Sequence, residues 1–174
     1  MKNYKLALGF TLIELLIVVS IIAILVTVAA PSFVQQMDDS KAYAARDKLA
    51  NIFAYARSEA VSRRENITVC ASNDGVNCSG NVVDWNAWWL VRDTAVPVPN
   101  TLKVVDISGS AAAVAVNQAI NIVCFDAFGV MAAAAACGGI PAIVAPFTYT
   151  ITPPGTGIRP SVLALIASGV VLYL

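Results

Sequence analysis

The sequence predicts an α+β protein in which a long N-terminal α-helix packs on a small antiparallel β-sheet. Three stretches of the chain indicate this fold. Residues 10–34 are almost entirely apolar, residues 35–65 carry apolar side chains at helical spacing, and residues 66–174 alternate short apolar runs with turn residues. We therefore predict a transmembrane half-helix, then an amphipathic half-helix, and finally a β-rich head.

The overall composition points away from a soluble enzyme and towards a membrane protein or a filament. Of the 174 residues, 58% are hydrophobic and 13% are charged, whereas soluble domains are roughly 45–50% apolar and about 25% charged. Eleven basic and eleven acidic side chains cancel, so the chain lacks the net positive charge that would favour nucleic-acid binding. The chain has no histidine, the side chain that most often serves as a general base or a metal ligand.

Residues 10–34 are long enough to cross a bilayer. As a helix these 25 residues would extend about 37 Å, against a hydrocarbon core of ~30 Å. Lys2 and Lys5 precede the run and favour a cytoplasmic N-terminus, which places the head outside the cytoplasm. A cleaved secretory signal and a plain membrane anchor are the alternatives, but neither accounts for the charge of Glu14 inside the run.

The N-terminal residues resemble a known processing signal. Residues 9–19, Gly-Phe-Thr-Leu-Ile-Glu-Leu-Leu-Ile-Val-Val, resemble the signature of type IV pilins and type II secretion pseudopilins. The resemblance implies that a prepilin peptidase/methyltransferase cuts after Gly9, removes residues 1–9 as a leader and methylates the new amine on Phe10. It also implies the pilin fold, and as partners other pilins or pseudopilins and an inner-membrane assembly platform. Pro31 falls where such helices usually carry a proline and bend.

Glu14 is the one ionisable side chain of the apolar run, and it is a candidate assembly residue. A charge within a bilayer costs on the order of 2.5–3.5 kcal/mol on insertion scales, so such a group is normally paired or functional. Cleavage would create a positive amine at Phe10, but a straight helix does not bring the two groups of one chain together well. A staggered neighbouring subunit can do so. The alternative is a protonated carboxylate near the membrane interface.

The second half of the helix is predicted to be amphipathic. Its apolar side chains recur at three- and four-residue steps, as on one helix face: Ala45, Leu49, Ile52, Phe53, Ala56 and Ala60. Charged residues lie largely off this face and are expected to be solvated. Arg63 and Arg64 suit the negative end of the helix, and Asn66 is a plausible stop.

The head is predicted to consist of short strands separated by turn residues. The predicted strands are residues 67–70, 85–91, 102–107, 120–125, 147–151 and 162–166, the last opening a terminal hairpin with residues 170–174. Of Trp85, Trp88 and Trp89, strand alternation predicts two in the core and one exposed. The alanine-rich residues 111–115 and 132–136 fit a short helix, a loop or a subunit contact equally well.

The head also resembles one pilin group, the pseudopilin H and FimT family. The similar segments are residues 53–61 (Phe-Ala-Tyr-Ala-Arg-Ser-Glu-Ala-Val), 67–70 (Ile-Thr-Val-Cys), 85–91 (Trp-Asn-Ala-Trp-Trp-Leu-Val) and 122–129 (Ile-Val-Cys-Phe-Asp-Ala-Phe-Gly). This implies a minor subunit that primes or caps a pilus or a secretion pseudopilus. The alternatives are a major pilin, or a head that binds DNA or a secretion substrate. DNA-binding members carry several basic residues near the C-terminus, whereas here only Arg159 remains as a weak candidate contact.

Four cysteines, Cys70, Cys78, Cys124 and Cys137, lie outside the cytoplasm in the predicted topology. An oxidising periplasm favours disulfides, and four cysteines allow three connectivities. We favour the local pairs Cys70–Cys78 and Cys124–Cys137; a crossed pairing stays open if the strands carrying Cys70 and Cys124 are neighbours. With no CxxC motif and no histidine, we predict no metal, no cofactor and no enzyme, and we interpret Asp126 as a turn initiator.

Overall fold

The computed structural model describes residues 10–79, 85–94, 100–110, 112–118, 122–132, 146–154 and 160–174, except the side chains of residues 28–32. The chain divides into two compact units, residues 1–37 and 38–174. One helix, α1 (Leu12–Arg63), contributes to both units. The strands are β1 (Ile67–Ser72), β2 (Trp88–Asp93), β3 (Thr101–Asp106), β4 (Ala113–Val116), β5 (Ile122–Phe125), β6 (Phe147–Thr152), β7 (Ser161–Leu165) and β8 (Val171–Tyr173).

The first unit consists of the N-terminal part of α1. Its described side chains, at residues 10–27 and 33–37, are all exposed. Pro31 lies within α1, so the helix continues past the proline as the sequence predicts. In the part of the chain that the structure describes, no helix is both long and apolar enough to cross a membrane.

In the second unit, α1 buries the face that the apolar spacing predicts. Ala45, Leu49, Ile52, Phe53, Ala56 and Ala60 are all at most 1% exposed. The helix ends at Arg63, before the predicted stop at Asn66, because Arg64 adopts a left-handed backbone with φ 58°. The Glu65 N–H then donates to the Ala60 carbonyl at 3.3 Å, which is the closing bond of a Schellman motif.

The predicted antiparallel pairing is confirmed, and the strands are divided between two four-stranded sheets. The strand orders are β3-β2-β1-β5 and β4-β6-β7-β8. Strand β4 lies in one of the alanine-rich stretches whose structure the sequence left open. It is defined by its partner, since Val114 lies opposite Ile151 of β6. The terminal hairpin is confirmed by the pairing of Leu163 in β7 with Tyr173 in β8.

An aromatic cluster joins the helix to both sheets. The Phe53 ring of α1 lies 6.4 Å from that of Phe125 in β5 and 5.3 Å from that of Tyr149 in β6. Trp85 packs edge-on against Tyr149 at 5.3 Å. Trp85 and Trp89 are fully buried, which confirms that two tryptophans lie in the core, whereas Trp88 is half-buried and not exposed as predicted. Trp85 precedes β2, so strand alternation does not account for its burial.

Tyr149 has a buried hydroxyl that finds no hydrogen-bond partner among the described residues. Burial raises the pKa of this phenol far above its usual range. A polar group buried without a partner costs free energy. We therefore expect Tyr149→Phe to leave the free energy of unfolding unchanged or to raise it by up to about 1 kcal/mol. Urea denaturation of the two proteins measures this, and a loss of stability would show that the hydroxyl is satisfied.

Candidate functional site

The helix begins directly after Phe10 and Thr11, at the predicted processing site. Thr11 is the N-cap of α1, because its Oγ1 accepts a hydrogen bond from the Glu14 N–H at 3.3 Å and its carbonyl accepts one from Leu15 at 3.2 Å. Thr11 and Glu14 have the spacing of a capping box, S/T-x-x-E. Thr11 was not among the predicted site residues, although this spacing is visible in the sequence. The cap fixes the first turn and leaves Phe10 outside the helix, 78% exposed.

Glu14 is the exceptional polar side chain of this part of α1. Ser20 and Thr27 donate their hydroxyls to the carbonyls of Ile17 and Ile24 at 2.8 and 2.7 Å. These two groups are therefore satisfied within the helix and compatible with apolar surroundings. The Glu14 carboxylate has no ion pair and no side-chain hydrogen bond within the described residues. Within the part of the chain that the structure describes, this carboxylate is therefore left to solvent or to another molecule.

The apolar side chains directly before and after Glu14 in α1 are exposed. Leu12, Ile13, Leu15 and Leu16 are each 57–81% exposed. An apolar surface of this extent marks a contact with lipid or with another protein. Of the other predicted residues at this end, Gly9 lies outside the described residues, and the side chain of Pro31 is among those not described.

A disulfide between Cys70 and Cys78 closes the loop after β1. The two Cα atoms are 5.5 Å apart, so the predicted local pairing is confirmed for these residues. Strands β1 and β5 are neighbours, with Thr68 opposite Cys124, but the crossed pairing is excluded for Cys70. Cys124 is also disulfide-bonded; its predicted partner Cys137 lies outside the described residues, and that pairing stays a prediction.

The disulfide loop is further ordered by Asp74. Its Oδ1 accepts hydrogen bonds from the Val76 and Asn77 N–H groups, both at 2.8 Å. These bonds, with those from the side chains of Asn77 and Ser72, hold the pKa of the Asp74 carboxyl well below its usual range. A carboxylate with so many donors in place stabilises one loop conformation. The loop therefore has a defined conformation within the head.

Removing the Cys70–Cys78 disulfide should destabilise the head. The cysteines are 8 positions apart, and closing so short a loop in the unfolded chain is worth about 2–3 kcal/mol. We expect the double variant Cys70→Ala/Cys78→Ala to lose about this much in urea denaturation. Val76→Ala, which keeps the disulfide and truncates a side chain of the same loop that is 63% exposed, is the matched control and should change stability by less than about 0.5 kcal/mol. Equal stability of the double variant and the unaltered chain would contradict the expectation.

The other candidates of the head have simple structural roles or are not described. Asp126 accepts hydrogen bonds from the Phe128 and Val130 N–H groups at 2.9 and 3.0 Å, so its role as a turn initiator is confirmed. Arg159, the candidate DNA contact, lies outside the described residues. Within the described ranges no three side chains of the metal-binding types come together.

Comparison with known proteins adds two family matches. Residues 45–169 match the family model of type II transport protein GspH, and residues 5–30 match the prokaryotic N-terminal methylation motif. The first match covers most of the head, and the second contains the Phe10–Glu14 site. No match is found among curated proteins.

Two solved structures share the fold. The type IV minor pilin FimU of Pseudomonas aeruginosa is 19% identical, with 78% of this chain and 90% of that chain covered and a TM-score of 0.59. The minor pseudopilin EpsH from the type II secretion system of Vibrio cholerae is 10% identical, with 77% of this chain and 96% of that chain covered and a TM-score of 0.53. At these identities the likeness concerns the fold alone.

Proposed function

The chain belongs to the type II transport protein GspH family, as an assembly subunit of a type IV pilus or a type II secretion system, and we propose that it is a minor subunit of that filament. In this proposal the prepilin peptidase removes residues 1–9 and the new Phe10 amine is methylated. Residues 10–34 hold the processed chain in the inner membrane with the head, residues 66–174, in the periplasm. The assembly platform then transfers the subunit into the filament, and the chain has no enzymatic role.

The observation that carries this proposal is the Glu14 carboxylate, which has no partner among the described residues and lies on an exposed apolar helix. Ser20 and Thr27 are satisfied internally, so Glu14 is the group that still needs a partner in apolar surroundings. The amine that cleavage would create at Phe10 has the required positive charge. Thr11 caps the helix immediately after Phe10, which leaves that amine accessible to a neighbouring subunit. An ion pair between staggered subunits would set their register, and apolar contacts would supply most of the cohesion.

The fold supports a minor role for the subunit. FimU is a type IV minor pilin and EpsH a minor pseudopilin, and both share the fold of this head. The ratio of this chain to the other subunits in purified filaments tests this part of the proposal. We expect a small fraction of the subunits, and a majority share would contradict a minor role.

The assembly mechanism is tested by Glu14→Gln, which keeps the side-chain shape and removes the charge. We expect the variant to be processed and inserted as usual, but its amount in sheared filaments to fall by about tenfold or more, equivalent to about 1.4 kcal/mol or more of lost pairing. Ser20→Ala is the control, because it also removes a polar group from this part of α1 but one that is satisfied internally. Normal incorporation of Glu14→Gln would exclude the ion pair as the register device.

A further inference from the structure

A groove on the head runs between α1 and the C-terminal strand. It has a volume of about 700 Å³. Asn51, Ala54, Ser58 and Val61 of α1 form the helix side, and the residues from Gly169 to Val171 together with Tyr173 form the opposite side. The helix side consists largely of short side chains. The backbone of another chain can therefore approach the helix closely.

Strand β8 presents backbone groups at this groove with which no described residue pairs. It is the last strand in the order β4-β6-β7-β8. Val170 and Leu174, which flank β8, are bonded on the β7 side of the strand. The Leu174 N–H donates to the Val162 carbonyl of β7, and the N–H of Ile166, directly after β7, donates to the Val170 carbonyl, both at 3.1 Å.

Because inward and outward groups alternate along an antiparallel strand, Val171 and Tyr173 direct their N–H and C=O groups away from β7. Both residues line the groove, and no described residue pairs with these groups. An open edge of this kind is a template for an added strand.

Arg57 gives the groove a positive charge. It is the one charged residue among the described residues that line it. Its Nε donates to the Gly129 carbonyl at 3.0 Å, which holds the guanidinium in place. The two terminal nitrogens have no partner within the described residues. A guanidinium held in this way is suited to a carboxylate.

An exposed apolar side chain, Phe128, precedes the Gly129 carbonyl that holds Arg57. Phe128 is 82% exposed, and it sits on the turn that Asp126 orders. That turn is tied to the β7–β8 turn by a hydrogen bond from Met131 N to the Ala167 carbonyl at 3.1 Å. A large apolar side chain on an ordered turn is a typical anchor for a protein contact.

We propose that this groove binds an extended segment of a different protein chain, which adds a strand to β8 and places a carboxylate on Arg57. The segment's apolar side chains lie against Val61 and Phe128. A second copy fits less well: two β8 edges paired about a two-fold axis bring together two grooves whose described lining residues include Arg57 and no acidic side chain. The partner must therefore supply the negative charge. This inference concerns the head surface and does not depend on the Glu14 mechanism.

To test strand addition, a short peptide that can pair with β8 is fused to the C-terminus of the full chain, which is kept in detergent. A flexible Gly/Ser linker after Leu174 carries either Thr-Val-Glu-Val-Thr, Thr-Val-Lys-Val-Thr or Thr-Pro-Glu-Pro-Thr. We expect the Glu strand to slow hydrogen exchange of the Val171 and Tyr173 amides by about tenfold or more. The Lys strand should protect them less, and the Pro strand should not protect them at all. The Leu172 amide, which faces β7, is the internal control and should change little.

A charge-reversal variant tests whether Arg57 itself binds the carboxylate. In Arg57→Glu the Lys strand should protect the Val171 and Tyr173 amides more than the Glu strand does. Circular dichroism checks that the head of this variant is folded. Equal protection by the two strands in the unaltered chain would overturn the carboxylate site. Absence of protection with every strand would overturn strand addition. If the amides of the unextended chain become protected as its concentration rises, the occupant is a second copy and the proposed partner is wrong. None of these results bears on filament incorporation of Glu14→Gln, so the two proposals fail separately.

Discussion

Phe53→Ala is expected to lower the free energy of unfolding by about 3–5 kcal/mol, because truncating a buried phenylalanine loses both its transfer energy and its packing. Phe53 is fully buried, and its ring contacts Phe125 of one sheet and Tyr149 of the other. The resulting cavity therefore lies where α1 meets both sheets. Neighbouring side chains cannot fill it without moving a strand. The full cost should appear in the midpoint of urea or thermal unfolding.

Phe128→Ala is the matched control, since it makes the same chemical change at a position that is 82% exposed. We expect it to alter stability by less than about 0.5 kcal/mol. If Phe53→Ala cost no more than Phe128→Ala, the helix would not be held to the sheets through the aromatic cluster. The control has a second use, because Phe128→Ala should weaken binding of the Glu strand proposed above while leaving the fold intact.

The helix of the head was predictable from the sequence because its information is local. Residues three and four positions apart share one face, so the spacing of Leu49, Ile52 and Phe53 identified the buried side directly. The end of the helix was less predictable. Arg64 adopts a left-handed backbone at the position where glycine is usual, and its side chain gives no sign of this.

The strands were predicted best where β-branched and aromatic residues are dense. Strand β4 contains two alanines and two valines, a composition that does not separate strand from helix or loop. It becomes a strand because β6 offers an edge with which Val114 and its neighbours pair. The division into two sheets likewise depends on which strands pair over long separations, and no local pattern encodes that.

The candidate sites also differ in whether they could be predicted from the sequence. Glu14 was predictable because a single charge in an apolar run is visible in the sequence itself. The groove beside β8 was not, since it combines residues of α1 with residues more than a hundred positions later. Arg57 appeared in the sequence as one of several solvated charges. Only its hydrogen bond to Gly129 and the open edge nearby single it out.

Gly169→Ala is expected to destabilise the head by about 2–4 kcal/mol, from a strained backbone and a steric clash together. Gly169 has φ +73°, a conformation that other residues adopt at a cost. A Cβ there would also lie 2.5 Å from the Gly129 carbonyl oxygen. That oxygen belongs to the backbone and accepts the Arg57 hydrogen bond, so it cannot move away without releasing the guanidinium.

Substitutions at two other glycines separate the cost of backbone strain from the cost of the steric clash. Gly75 also has a positive φ, but its added Cβ would meet only the half-buried Trp88 ring, at 3.1 Å, so Gly75→Ala should cost about 1–2 kcal/mol, mainly from the backbone. Gly109 has no heavy atom within 4 Å of an added Cβ, and Gly109→Ala should change stability by less than about 0.5 kcal/mol. Urea denaturation should rank the losses Gly169, then Gly75, then Gly109. If the loss at Gly169 is no greater than at Gly75, the turn that contains Gly169 moves readily away from the Gly129 carbonyl. Arg57 would then not be held in place for a carboxylate.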